Sequence, residues 1–154
     1  MRRHIAVVGP SVATAEELDW AYETGRAIAE RGDVLVTGGL GGVMAAACRG
    51  ASEAGGVSVG LLPGSDRSEA NPHVTVAIAT GLGELRNGLV VRSADGVIAI
   101  GGSWGTLSEI ALAVRTGTPL VVLGGWELRG GDSEPLDLLR ANTPTEALAI
   151  LDGH

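Results

Sequence analysis

Two glycine-rich segments and one Arg-Asn pair have the residue types and spacing to do chemistry. The first segment is Gly38-Gly39-Leu40-Gly41-Gly42-Val43, set between an apolar run and a helical stretch. Glycines there let the backbone approach a ligand closely and leave helix N-terminal N–H groups open to an anion. The spacing is not GxGxxG, and no acidic residue stands ~20 positions on, as the dinucleotide fingerprint requires. Two readings stay open: contact with a phosphate or nucleotide, or a tight strand-to-helix turn.

The second segment is Gly101-Gly102-Ser103-Trp104-Gly105-Thr106-Leu107-Ser108-Glu109, which repeats the order of strand, loop and helix start. Thr106 and Glu109 match a Thr-x-x-Glu capping box, so Glu109 is either a cap or a carboxylate facing a ligand crevice. Trp104 either closes the loop over a flat ligand or simply packs. The third feature, Arg86-Asn87, lies near a helix start and off its Leu82/Leu85/Leu89 stripe. A planar, permanently charged Arg suits bidentate phosphate binding, though an ordinary surface Arg would look the same. Gly9 and Ser11, just past the first apolar run, complete the candidate ligand set. Cys48 sits among Ala46, Ala47 and Ala51, which points to packing rather than catalysis. His73, beside Asn71-Pro72 at a strand entrance, either lines the site or plays no part in it.

The elements that must position these residues follow from periodicity. Short apolar runs alternate with helical stretches, the pattern of a parallel α/β sheet. Strands are predicted at His4–Val8, Val34–Val36, Val57–Leu62, around Val74, Val76 and Ile78, at Gly96–Ile100 and at Pro119–Leu123. A last short strand is predicted at Leu136–Leu139. Helices are predicted after a Thr14/Glu17 capping box, over Val43–Ala54, along the Leu82/Leu85/Leu89 face and over Thr106–Arg115. A final helix opens at Thr143, with Pro144 at its first position and Glu146 at its third. Fully apolar strands flanked by helices imply a sheet covered on both faces. The expected fold is one Rossmann-like α/β domain over residues 1–154, with a mainly parallel sheet of about six or seven strands and helices on both sides. The glycines cluster after strands, where open α/β sheets bind ligands.

Absences exclude whole classes of chemistry. The 154 residues include 25 Gly and no Lys, and all 11 basic residues are Arg. Codon bias in a GC-rich genome accounts for that preference. Without Lys there is no internal aldimine and no Walker A lysine. One Cys allows no internal disulfide and no multi-Cys metal site. Three scattered His, without an HExxH pattern, give no reason to expect a catalytic metal. A net charge of −7 argues against nucleic acid as a partner. No run approaches the ~18 apolar residues of a membrane span, and the first apolar run is too short for a signal peptide. A cytoplasmic location without membrane contact is expected.

The stretch from Arg86-Asn87 through Ser93-Ala94-Asp95 to Gly101–Glu109 resembles the LONELY GUY (LOG) superfamily. It is more closely similar to the branch that includes molybdenum cofactor carrier proteins. The Gly38–Met44 loop and the Ile5–Gly9 strand fit as well, so the resemblance spans roughly His4 to Leu151. LOG enzymes carry PGGxGTxxE and hydrolyse cytokinin nucleoside 5′-monophosphates to free base and ribose 5-phosphate. Here Gly101 replaces the Pro and Ser103 the second Gly, while Gly102, Gly105, Thr106 and Glu109 match. The resemblance maps the catalytic Arg onto Arg86 and the catalytic Glu onto Glu109. The Arg-Asn pair is more typical of the carrier-like branch. It also implies a homo-oligomer, a dimer or tetramer. The lysine decarboxylase label often given to this superfamily conflicts with a Lys-free chain.

Two functions follow as expectations. The first is a binding module for a phosphorylated small molecule, either a nucleotide or a molybdenum cofactor carried as cargo, with no resident cofactor required. The N–H groups of both loops would hold phosphate and Arg86 would pair with it. The second is an N-glycosidic hydrolase of nucleoside 5′-monophosphates. There Glu109 would stabilise positive charge developing on the sugar, Arg86 would fix the substrate, and Thr106 with Gly102 and Gly105 would hold phosphate.

Overall fold

Seven strands form one sheet in which every pairing is parallel. The computed structural model describes all 154 residues. The strands are β1 His4–Val8, β2 Val34–Thr37, β3 Val57–Leu62, β4 Val76–Ala79, β5 Gly96–Ile100, β6 Leu120–Leu123 and β7 Leu139–Ala141. They pair in the order β4-β3-β2-β1-β5-β6-β7. The helices are α1 Ala15–Glu30, α2 Val43–Glu53, α3 Arg86–Arg92, α4 Trp104–Thr116 and α5 Pro144–Asp152.

Alternation along the strands splits the core into two layers. Ile5, Val7, Leu35, Ile98, Ile100, Val121 and Leu123 face one side, with Ala21 and Ile28 of α1, Ala47 of α2 and Leu148 of α5. Ala6, Val8, Val36, Val97, Ala99, Leu120 and Val122 face the other, with Val90 of α3 and Ile110 of α4. The central strands are therefore buried on both faces, as their unbroken apolar runs require. On the first side, α1 and α2 pack with their backbones nearly touching. A Cβ on Gly25 would lie 1.9 Å from the Ala47 carbonyl oxygen, and one on Gly50 would lie 2.1 Å from that of Tyr22.

The helix starts follow their caps. At α1, the Glu17 N–H donates to Thr14 Oγ1 at 3.2 Å and the Thr14 N–H donates to Glu17 Oε1 at 3.1 Å. At α5, the Glu146 N–H donates to Thr143 Oγ1, with Pro144 at the first turn.

Two predicted strand boundaries and one predicted helix face are corrected. The last strand is Leu139–Ala141, not Leu136–Leu139, because the register pairs Leu139 with Val121 and Ala141 with Leu123. The fourth strand begins at Val76, and Val74 instead packs against the core from the preceding loop. The Leu82/Leu85/Leu89 stripe is the exposed side of its segment, not the buried one. A 3-10 turn over Gly83–Leu85 shifts the phase ahead of α3, so Arg86, Val90 and Val91 turn inward instead.

Candidate functional site

β1 and β5 lie side by side although three strands separate them in sequence. The chain winds outward through β2, β3 and β4, then returns to build β5, β6 and β7 on the other side. This reversal opens a crevice beyond the carboxyl ends of β1 and β5. The loops after β1, β2 and β5 all leave the sheet there.

Close backbone contacts lock these loops together. A Cβ on Gly9 would meet Val43 Cγ1 at 2.6 Å and the Ile100 carbonyl oxygen at 2.7 Å, so the first loop lies between the other two. Gly42 has φ +62°, and the Pro10 carbonyl oxygen lies 2.3 Å from where its Cβ would stand. The Val43 N–H donates to that oxygen at 3.1 Å. The N–H groups of Leu40, Gly41 and Gly42 make no hydrogen bond within the chain, nor do those of Gly102 and Ser103. The predicted residues Gly9, Ser11, Gly38, Gly39, Gly41, Gly42, Gly102 and Ser103 thus all belong to the three loops at this end of the sheet.

Arg86 reaches the same place from the start of α3. Its side chain is buried, and its Nη2 donates to the Gly38 carbonyl oxygen at 3.4 Å. Nη1 donates to Asn87 Oδ1, while Nε is buried with no partner. A Cβ on Gly38 would lie 2.7 Å from Nη2, so the guanidinium occupies the space a side chain would fill. Asn87 Nδ2 donates to Ser108 Oγ at 3.1 Å, and Ser108 Oγ donates to the Gly105 carbonyl oxygen at 2.6 Å. A polar chain therefore runs from the loop after β2 to the first turn of α4.

Glu109 is not a helix cap, and neither is Thr106. Ser103 takes that role with an extended backbone, accepting the Thr106 N–H on its Oγ at 3.2 Å. The loop leaves Ser103 extended directly before Trp104, so α4 begins two residues earlier than Thr106. Thr106 is buried, with its Oγ1 2.9 Å from Ser103 Oγ. Glu109 falls in the second helical turn, out of reach of the free N–H groups, and is only 7% exposed. Burial pushes its carboxyl from 4.5 up to about 8, against the opposing pull of the Arg86 charge. Burial likewise lowers Arg86 from its ordinary value, opposed by Glu109. Each side chain carries the other's charge as its main electrostatic neighbour.

Comparison with known proteins places the chain among relatives. The SLOG cluster4 family model matches residues 2–148. The chain belongs to the SLOG cluster4 family. An uncharacterized protein of Archaeoglobus fulgidus is 43% identical over 113 residues, covering 73% of this chain and 74% of that protein. The molybdenum cofactor binding protein of the phototrophic bacterium Rippkaea orientalis superposes with a TM-score of 0.89 at 34% identity, over 99% of this chain and 97% of that one. The molybdenum cofactor carrier protein of Chlamydomonas reinhardtii superposes with a TM-score of 0.84 at 31% identity, over 99% and 98%. The Rossmann-like fold and the likeness to the carrier branch therefore hold along nearly the whole length.

Some residues of this region escape a reading by motif. Asn71 braces the loop after β2, donating from its backbone N–H and Nδ2 to the Gly39 carbonyl and from Nδ2 to that of Leu40. His73 sits in the same turn, its N–H bonded to Asn71 Oδ1. Glu17 presses its carboxylate against Gly101, and Trp126 lies against Gly102. Ser108 links Asn87 to α4. The Asn-Pro step hinted at a structured turn at Asn71, but nothing local marked Trp126. Cys48 is fully buried, 3.5 Å from Thr37 Oγ1, and plays a packing role. No helix is long and apolar enough to cross a membrane.

Proposed function

We propose that this chain binds a phosphorylated small molecule, a nucleotide or a molybdopterin-type cofactor carried as cargo, in the crevice between the glycine loops. The observation that carries this reading is Arg86. A guanidinium is buried in the crevice wall with a free Nε, beside loops whose N–H groups lack partners. A planar guanidinium fixed beside open backbone N–H groups is a donor set that suits a phosphate or other oxyanion. The net charge of −7 makes this local concentration of donors stand out against the rest of the surface. The likeness to molybdenum cofactor carriers supports a cofactor-type ligand. Gly9, Ser11, Gly38, Gly39, Gly41 and Gly42 would line one wall, and Gly102, Ser103, Gly105, Thr106 and Asn87 the other.

Native mass spectrometry of freshly purified protein tests this directly. A co-purifying phosphorylated species, lost in Arg86→Ala, is the expected result. Repeated isolation without any such species, together with no calorimetric binding of ribose 5-phosphate, would overturn it.

A second reading rests on Glu109. A carboxyl that keeps its proton to about pH 8 can protonate a leaving base, and once ionised can stabilise a sugar cation. Beside Arg86 this supports hydrolysis of the N-glycosidic bond of a nucleoside 5′-monophosphate. Release of free base from a panel of purine monophosphates, abolished in Glu109→Ala, is its signature. No release at high enzyme concentration would remove it.

The chain is further read as a cytoplasmic homo-oligomer, a dimer or tetramer. An apolar groove of about 740 Å³ between α4 and the segment before β7, lined by Ile110, Val114, Leu128 and Leu136, supports assembly. Sedimentation equilibrium at a single monomeric mass would refute it.

A further inference from the structure

A cleft of about 630 Å³ opens between the N-terminal halves of α3 and α4, immediately beside the Arg86 site. Three large apolar side chains, Leu85, Trp104 and Leu112, wall it. Trp104 is 79% exposed and Leu85 is 77% exposed, values unusual for residues of this size without a partner. Small residues, Gly88, Gly105 and Ala111, line the space between them and leave room for a flat group. Trp126 meets the Trp104 ring in a T-shaped contact, with centroids 4.8 Å apart. Trp126 is itself seated on Gly102, where a Cβ would lie 2.8 Å from its Cδ1. Trp104 is thus exposed yet braced.

The cleft adjoins Arg86 through Asn87, which lines it and also accepts from Arg86, and through Gly105, which stands next to Thr106 in the first turn of α4. Glu84 stands at the same cleft. A carboxylate there accepts hydrogen bonds from ring amino and N–H groups and repels a second phosphate.

Resting on the phosphate-binding reading above, we infer that this cleft is the subsite for the planar, amino-bearing heterocycle of the same ligand, with Trp104 as the stacking platform. The ligand would lie with its phosphate at Arg86 and the glycine loops, and its ring between Leu85 and Trp104. Glu84 then selects rings that present donors, such as a purine or pterin with a 2-amino group. Trp104 is a specificity-determining residue, and Trp126 is a positioning residue that acts through it.

The test compares two probes by calorimetry on the full chain. Guanosine 5′-monophosphate carries phosphate, sugar and an amino-bearing ring; ribose 5-phosphate lacks the ring. The wild-type chain should prefer the nucleotide by about tenfold or more, the contribution of one stacking contact. Trp104→Ala should weaken the nucleotide about tenfold more than it weakens ribose 5-phosphate, and Trp104→Phe should restore most of the difference. Trp126→Ala should show a smaller loss of the same kind. Equal affinity of the wild-type chain for both probes overturns the subsite while leaving the phosphate reading standing. Loss of both probes in equal measure in Trp104→Ala also overturns it. So does a fall in oligomeric mass in Trp104→Ala with nucleotide preference intact, which would make the cleft a contact with a second copy of the chain. Failure of the wild-type chain to bind either probe overturns both readings together.

Discussion

Glu109→Gln should stabilise the ligand-free protein at neutral and alkaline pH and lose that advantage in acid. The carboxyl is 7% exposed and holds its proton to about pH 8, where an unfolded chain releases it near 4.5. Between those values the native state binds more protons than the unfolded state. Stability therefore falls as pH rises through that window and levels off above about 8. Each pH unit inside the window costs about 1.4 kcal/mol, so the penalty accumulated by neutral pH is about 3 kcal/mol. Gln does not ionise and escapes it. The opposing pull of Arg86 is already contained in the value of about 8. For a chain of this size the gap corresponds to roughly 6–12 °C in Tm. Thermal and urea unfolding of both proteins from about pH 5 to 8.5 should show stabilities that nearly converge at the acid end, separate steadily through neutrality and run parallel above about pH 8. Parallel curves across the range would refute the claim that Glu109 is buried and charge-strained. So would a variant less stable than the wild type at the alkaline end.

Three further outcomes follow from the same geometry. Arg86→Ala should weaken ribose 5-phosphate by about 10- to 100-fold in calorimetry, the contribution of a charged hydrogen bond, and Arg86→Lys should not restore it because the planar fork is lost. Gly38→Ala places a methyl 2.7 Å from Arg86 Nη2 and 2.9 Å from Met44 Sδ, so it should displace the guanidinium and lower phosphate affinity by about tenfold with little change in Tm. Gly50→Ala drives a methyl to 2.1 Å from the Tyr22 carbonyl oxygen in the α1–α2 contact, which should cost about 1–3 kcal/mol, read as a lower urea midpoint with an unchanged m value.

Legibility in the sequence followed burial. β1, β5 and β6 were plain because strands covered on both faces are apolar throughout, and no polar residue blurs His4–Val8 beyond its first position. The caps at Thr14 and Thr143 were plain because a side chain that accepts its own helix's N–H acts within four residues. The α4 start was harder, since Ser103 and Thr106 both fit a cap by residue type. The backbone leaving Gly102 decided between them, and with that decision Glu109 moved from the helix end to the interior. The α3 face is not legible because a seven-residue helix behind a 3-10 turn has too few residues to establish a phase. The bounds of β7 are not legible because a short edge strand with two exposed positions carries little hydrophobic signal.

Local pattern specified a parallel α/β sheet, glycine-rich turns after its strands and an Arg free of any Lys competitor. Those properties depend on residues near one another in the chain. Strand order did not, since pairing β1 with β5 closes a loop of some ninety residues and leaves no trace in either strand's composition. That pairing set Gly9 between Val43 and Ile100. The packing of α3 then laid Arg86 against Gly38 and within electrostatic reach of Glu109. The residue types were written in the sequence. Their burial, and so the shifted proton of Glu109 and the unpartnered Nε of Arg86, came only from elements that tertiary packing brought together.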